Sequence, residues 1–410
     1  MSRKCSKDGC VAGKGYIMLS ESIGHEESML SEPEQKIHLS VAEKLQISPE
    51  EIKFTNLEGF IKGDRYAYFF TKQCFGKIAK EPNHKLQLAR EVSNTLLAQD
   101  LGFDTTGVSL PYSEIDSEHG MVVFDKLSSE DGSAFVSYED ISGLSDEEAQ
   151  KYGSRSAQTL MSHGFAKLPS DEDATRFLHR GAEGWSQMVD SPESLKNGID
   201  QRRSFIDYPG IVENLQQVVG DSVDVAELAR EFSRLPQLID LLIEHFPKQD
   251  DEYFVHNDAG IQNIFFRANS QDGQEPDLMI DFEAASATHY PILGLIRDIQ
   301  QYFGKVWANP DLQKQFIKGC FDWKSRDNPD LNEPNNRYYL LRAAIELGSL
   351  HFSHFPLKRV VQRVEQDHGP GVDSIKSAID EEREMDLPLS LLKNLPENLK
   401  YLDDLYQNEQ

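Results

Sequence analysis

Long apolar runs are missing from this 410-residue chain. None approaches the ~18 residues that a membrane-crossing helix needs, so no membrane span is expected. Residues 1–15 are charged or small and lack the apolar core of a secretion signal. Cysteine is scarce: Cys5, Cys10, Cys74 and Cys320 are all there are, too few and too scattered for a disulfide framework. Cys5 and Cys10 have no second Cys or His pair at a zinc-binding spacing, and their closeness reads as incidental. A cytoplasmic protein is expected. Positive charge is also in short supply, with 42 Lys and Arg against 69 Asp and Glu and a net charge of −27. A polyanion would be repelled by such a surface, which excludes nucleic acid as a general partner. The same charge suits a cationic small molecule, although acidity on this scale also serves solubility. There is no G-x-S-x-G, no H-E-x-x-H and no G-K-[ST] phosphate loop. Serine hydrolases, zinc peptidases of that type and P-loop nucleotidases are thereby set aside.

What is present is enough to build cores, since 39% of residues are hydrophobic and 27% charged. At roughly 150 residues per domain, two or three lobes are expected. Residues 1–35 show no period and read as a loose leader, and 36–50 predict a short helix. Three aromatic and aliphatic runs follow, at 56–60, 66–71 and 74–79, punctuated by Gly63-Asp64 and Lys72-Gln73. They predict an antiparallel meander. Leu88, Val92 and Leu96 then fall at i, i+4 and i+8, the stripe of a helix over 86–101 that Gly102 ends. Runs at 107–110 and 121–127 complete five strands with one helix after the third. Residues 128–250 are mostly helical in pattern, with Val225, Leu228, Phe232 and Leu235 on one face. Pro236 predicts the start of a second helix carrying Leu238, Leu241, Leu242 and His245. Three short apolar runs come next, at 253–255, 263–266 and 278–282, the last two joined as in a hairpin. From Ile292 onward the chain is again largely helical.

The chemistry concentrates in Tyr253-Phe-Val-His-Asn-Asp-Ala-Gly-Ile-Gln-Asn-Ile-Phe-Phe266 and Leu278-Met-Ile-Asp-Phe-Glu283. An apolar strand delivers His256 and Asp258 to a loop containing Gly260. Asn263 follows as the next strand begins, and a further strand ends at Asp281. Two carboxylates and one amide thus stand at the ends of buried strands. Phosphoryl transfer needs such a set, because its charge lies on oxygens and oxygen ligands suit Mg²⁺. Asp281 and Asn263 can hold the metal, and Asp258 can orient a hydroxyl and accept its proton. His256 reads as a structural loop residue.

His256-Asn-Asp258 with Asn263 resembles the H-G-D-x-x-x-x-N loop of aminoglycoside phosphotransferases, choline kinases and related small-molecule kinases. Ile280-Asp-Phe282 resembles their metal-binding I-D-W/F segment. Tyr290-Pro-Ile-Leu-Gly-Leu-Ile-Arg-Asp298 is similar to their G-D-P-x-x-D-L-A stretch, whose last Asp, here Asp298, braces the catalytic loop. Asn257 departs from the usual Gly, at a place where protein kinases carry Arg.

The resemblance extends to the first half of the chain. Lys77 on the third strand and Glu91 on the following helix match the lysine that grips the α/β-phosphates and the glutamate that holds it. Lys72 and Lys80 compete for the role, but strand alternation turns Lys80 to the opposite face from Lys77. Met121-Val-Val-Phe-Asp-Lys-Leu127 resembles the strand entering the hinge, so Val123, Phe124, Asp125 and Lys126 are expected beside adenine. Residues 59–65 are the expected phosphate loop.

The resemblance therefore implies an α+β, bilobal, protein-kinase-like fold. It would have a leader and short helix at 1–53, a nucleotide-binding lobe at 54–127 and a helical lobe at 128–410. It implies an ATP- and Mg²⁺-dependent phosphotransferase acting on the hydroxyl of a small molecule, and the net charge leans toward a cationic one such as an aminoglycoside. A protein or lipid acceptor, or an inactive nucleotide-binding scaffold, are the alternatives. No activation segment or A-P-E follows Asp281, which disfavours a conventional protein kinase.

Overall fold

The computed structural model describes residues 32–55, 65–125, 135–137, 146–180, 190–204, 206–208, 210–221, 224–267, 278–306, 309–325, 328–366, 375, 377–379, 382 and 385–410. Lys126, the run at 56–60, Cys5, Cys10 and all of the expected phosphate loop except Arg65 lie outside the described residues.

Five strands form one antiparallel sheet: β1 (Lys53–Thr55), β2 (Tyr66–Phe70), β3 (Cys74–Ala79), β4 (Val108–Glu114) and β5 (Gly120–Asp125), in the order β1-β2-β3-β5-β4. The first strand thus lies just upstream of the run at 56–60. Helix α1 (Glu32–Leu45) precedes the sheet and α2 (Pro82–Asp100) follows β3. Strand alternation divides the side chains between two cores. Ile37, Val41 and Ala42 of α1 pack with Phe69, Ile78, Met121 and Val123 on one face. Leu88 and Val92 of α2 pack with Tyr66, Phe75, Ala79, Val122 and Phe124 on the other. Gly76 is required where it stands: a Cβ there would lie 2.1 Å from the Phe69 ring that crosses it.

Helix α2 buries Leu88, Glu91, Val92, Asn94, Thr95, Leu97 and Ala98, whereas Leu96 is exposed. The i, i+4, i+8 stripe is corrected here. Each four-residue step advances about 40° round the axis, so two steps swing a side chain away from the contact. Alternating steps of three and four keep Glu91 and Thr95 in it. Gly102 adopts φ +86° and ends the helix as expected, with the Phe103 N–H reaching back to the Ala98 carbonyl at 2.9 Å.

The larger lobe is built from α3 (Asp146–His163), α4 (Glu172–Thr175), α5 (Pro192–Arg203), α6 (Ile211–Val219), α7 (Val225–His245), α8 (Pro291–Lys305), α9 (Pro310–Asp322), α10 (Pro334–Gln366) and α11 (Asp386–Glu409). Two small sheets sit among these helices. β7 (Tyr253–Val255) pairs with β10 (Ser286–Thr288), and β8 (Ile264–Arg267) lies between β6 (Phe135–Ser137) and β9 (Leu278–Met279). Pro236 does not divide α7, contrary to the expectation of two helices. Phe232 and Leu235 before it and Ile239 and Leu242 after it share one buried face, and that packing outweighs the missing N–H. Leu241 points outward and is exposed.

Helix α8 is buried on every side from Pro291 to Gly304. Such a helix is normally apolar throughout, yet it carries Arg297, Asp298, Gln300 and Gln301 inside. No helix among the described residues is long and apolar enough to cross a membrane.

Candidate active site

Strand β7 ends at Val255, opposite Ser286 of β10, and releases the chain into His256-Asn-Asp258. The His256 ring is buried. Its Nε2 lies 2.8 Å from the Ile280 carbonyl oxygen, and its Nδ1 accepts the Asp258 backbone N–H at 3.2 Å. A carbonyl only accepts, so the proton sits on Nε2 and the ring is neutral. His256 is thus a strut between the loop and β9, consistent with a structural role.

Asn257 occupies the left-handed region at φ +66°. Glycine and asparagine tolerate that conformation best, which explains why asparagine can replace the glycine of the related loops. Its side chain adds anchors that glycine lacks: Nδ2 donates to the Ala284 carbonyl at 3.0 Å and to Ser286 Oγ at 2.6 Å. The Asn257 backbone N–H donates to Asp298 Oδ1 at 2.9 Å, so Asp298 braces the loop. Burial pushes the Asp298 carboxyl up to about 7 against the pull of its backbone donors and Arg297.

Asp258 is half-buried. Asn263 Nδ2 donates to its backbone carbonyl at 2.7 Å and to its Oδ2 at 3.3 Å. The Ile280 N–H donates to the Asn263 carbonyl at 3.0 Å, and Ile264 pairs with Met279. These bonds set the Asn263 backbone against Ile280, the residue before Asp281. Asp281 is itself left-handed at φ +64° and starts a short turn over Phe282–Ala284 rather than continuing a strand to 282.

From the sheet, Lys77 Nζ donates to Glu91 Oε1 at 2.7 Å and Oε2 at 2.8 Å, and to Asp281 Oδ1 at 3.2 Å. Lys77 and Glu91 are 1% and 2% exposed, while Lys72 is exposed and Lys80 half-buried. The structure therefore brings Lys77, Glu91 and Asp281 together, and Asp258 together with Asn263. Burial pushes the Glu91 carboxyl up, and the bound Lys77 ammonium opposes it.

Several residues went unnoticed in the sequence. Glu283 accepts from the Tyr66 hydroxyl at 3.0 Å and lies 3.9 Å from Arg65, which ties the turn after Asp281 to β2. Asn94 Nδ2 donates to the Phe282 carbonyl at 3.0 Å, so α2 grips the same turn. Burial and neighbouring Asp281 push the Glu283 carboxyl up. The spacing of Glu283 from Asp281, two residues on, was the one signal that could have found it. Oxygens of Glu91, Asp281 and Glu283 all lie within 4.8 Å of one another. Glu91 is committed to Lys77, which leaves Asp281, Glu283 and the Asn263 amide as hard oxygen donors of the kind Mg²⁺ takes.

The expected adenine-side residues belong to β5. The Val123 side chain faces α1, away from Lys77, and Phe124 stacks on Phe75 with ring centroids 5.2 Å apart. The Asp125 N–H donates to Gly107 O and its carbonyl accepts from Thr106 Oγ1, each at 2.9 Å, while its carboxylate accepts from Ser109.

No family model matches this chain, and no curated protein does. Among solved structures, small-molecule kinases are similar to it. The streptomycin–ATP complex of APH(2")-IIa is 12% identical, with 85% of this chain and 97% of that one covered and a TM-score of 0.43. The GDP complex of aminoglycoside 2'-phosphotransferase-IIIa is also 12% identical, with 92% and 99% covered and a TM-score of 0.46. Choline kinase LicA from Streptococcus pneumoniae is 17% identical, with 85% and 98% covered and a TM-score of 0.40. At such identities the roles of individual residues have to be read from this chain's own geometry.

Proposed function

We propose that this protein transfers the γ-phosphate of ATP to a hydroxyl group of a small molecule. The observation that carries the reading is the 3.2 Å contact between Lys77 and Asp281. It joins the lysine–glutamate pair of the sheet to the segment that also positions Asn263 and Asp258. Lys77, held by Glu91, binds the α/β-phosphates. Asp281 and the Asn263 amide oxygen would hold Mg²⁺, which would supply positive charge to neutralise phosphate oxygens. Asp258 orients the acceptor hydroxyl. As the acceptor oxygen forms its bond to the γ-phosphorus, the bond from that phosphorus to the β,γ-bridging oxygen breaks. The hydroxyl proton passes to the Asp258 carboxylate, and the electron pair leaves on ADP. His256, Asn257 and Asp298 keep the loop in place. Val123, Phe124, Asp125 and Lys126 are the expected neighbours of adenine; within β5 the Asp125 N–H already donates to the Gly107 carbonyl.

Asp258→Ala tests the assignment. Turnover should fall by about 10²- to 10⁴-fold, the range for a lost general base, while Mg²⁺-nucleotide binding and thermal stability stay close to wild type. Transfer within threefold or so of wild type would sink it.

A further inference from the structure

The turn that follows β9 is tied down residue by residue. Asp281 accepts from Lys77 of β3 at 3.2 Å, the Phe282 carbonyl from Asn94 of α2 at 3.0 Å, Glu283 from Tyr66 of β2 at 3.0 Å, and the Ala284 carbonyl from Asn257 at 3.0 Å. The first three ties come from the sheet and α2, the last from the loop that carries Asp258. Helix α2 is itself anchored in both lobes, with Leu88 and Val92 against the sheet and Leu97 and Ala98 in the helical core.

A buried asparagine in the interior of a helix calls for a reason, and Asn94 is 1% exposed. Asparagine is a weak helix former, and a buried amide is unfavourable unless it is hydrogen bonded. Satisfying the Phe282 carbonyl is not reason enough, because that oxygen already accepts the Ala285 N–H within the turn at 3.1 Å. What the Asn94 amide adds is attachment of the turn to α2. The attachment lands one residue after Asp281, whose left-handed φ of +64° is disfavoured for a residue with a Cβ and has to be held by its surroundings. It starts three residues after Glu91, on the same buried face of α2. Glu91 grips Lys77 while Asn94 grips the turn, so one helix sets both ends of the Lys77–Asp281 contact.

We propose that Asn94 is a positioning residue for the metal site, holding Asp281 in place against Lys77 by way of the Phe282 carbonyl. This rests on the phosphotransferase reading and adds a residue to its site. In that reaction Lys77 turns to the phosphates and Asp281 to Mg²⁺, so their direct contact loosens. The bond from Asn94 to Phe282 uses neither the ammonium nor the carboxylate and persists while those groups change partners. Asn94 acts through the turn and takes no part in the bond-making step.

The test uses the full chain, with the Kd for ADP measured by calorimetry without metal and at rising Mg²⁺. Asn94→Leu keeps the helix and removes the donor. It should raise the Mg²⁺ concentration needed for half-maximal tightening of ADP binding by about tenfold, the lower end of the range for residues that hold a metal ligand in place. The Kd without metal should stay close to that of wild type. Leu97→Ala, on the same helix but in the helical core, is the comparison for lost stability alone. It should melt at a lower temperature and keep the wild-type Mg²⁺ dependence. Wild-type Mg²⁺ dependence in Asn94→Leu, or an equal shift in Leu97→Ala, would overturn the proposal and leave the phosphotransferase reading intact. No effect of Mg²⁺ on nucleotide binding by the wild-type protein would instead defeat that reading, and this role with it. If Asn94→Leu does not fold, Asn94→Ala, which removes the donor without adding bulk, is read in the same way.

Discussion

The sheet and the helical lobe handle charge in opposite ways. On the sheet side, Lys77 is answered in full by Glu91 and Asp281, and the pair is shut away from water. On the helical side, Asp258 is half-buried and accepts from the Asn263 amide at 3.3 Å. Under the proposed function every nucleoside triphosphate would present the same phosphates, and a rigid, pre-paired lysine suits that task. In the proposed reaction acceptors differ, and the more open Asp258 stands on the side that would meet them.

That contrast breaks most visibly at Lys77. In Lys77→Ala, Glu91 keeps its burial and loses its partner, so unfolding should become easier by about 3–5 kcal/mol and transfer should collapse. Burial favours the protonated Glu91 carboxyl, so the loss should be larger at pH 8 than at pH 6 in denaturant titrations. Lys77→Met with Glu91→Leu should restore much of the stability and none of the transfer, whereas Lys80→Ala should change little. Restored transfer in the double variant would rule out a phosphate-gripping role.

A smaller effect on folding is expected at Asp281, whose side chain is 27% exposed. Asp281→Asn should weaken Mg²⁺-dependent nucleotide binding by roughly 10- to 100-fold, as disturbed metal sites do, with Asn263→Ala milder. Identical Mg²⁺ titrations for Asp281→Asn and wild type would remove Asp281 as a ligand.

A further effect, confined to the pH profile of stability, concerns Asp298. Its carboxyl titrates near 7 in the folded protein and near 4 when unfolded. The native state therefore holds this proton more tightly, and the group's contribution to stability is present below pH 4 and is lost as pH rises toward 7. Asp298→Asn keeps an acceptor for the Asn257 N–H and should flatten that part of the stability profile, as melting temperatures between pH 4 and 8 would show.

Much of this was legible in the residues. The short strands that deliver His256, Asp258 and Asn263 follow local patterns of apolar runs and turn residues, whereas the pairing of Lys77 with Glu91 was implied by the resemblance to small-molecule kinases. The misreadings came where tertiary packing overrode local pattern. Pro236 looked like a helix start until packing on both sides carried α7 through it. Leu96 looked buried because a four-residue spacing was followed too far. Glu283 passed unnoticed because its meaning lies in a partner far along the chain, Tyr66. No local pattern encodes such pairings.

Asn257 shows what a single side chain can do for the timing of order. With Nδ2 bonded to Ala284 and Ser286, and its N–H to Asp298, the loop is stitched to β10 and α8 as the chain folds. The conformational entropy of aiming Asp258 is thus surrendered during folding, at about 1–2 kcal/mol per residue, rather than at each encounter with substrate. A glycine in its place would preserve the backbone angle and, in the proposed reaction, return part of that entropy to every turnover.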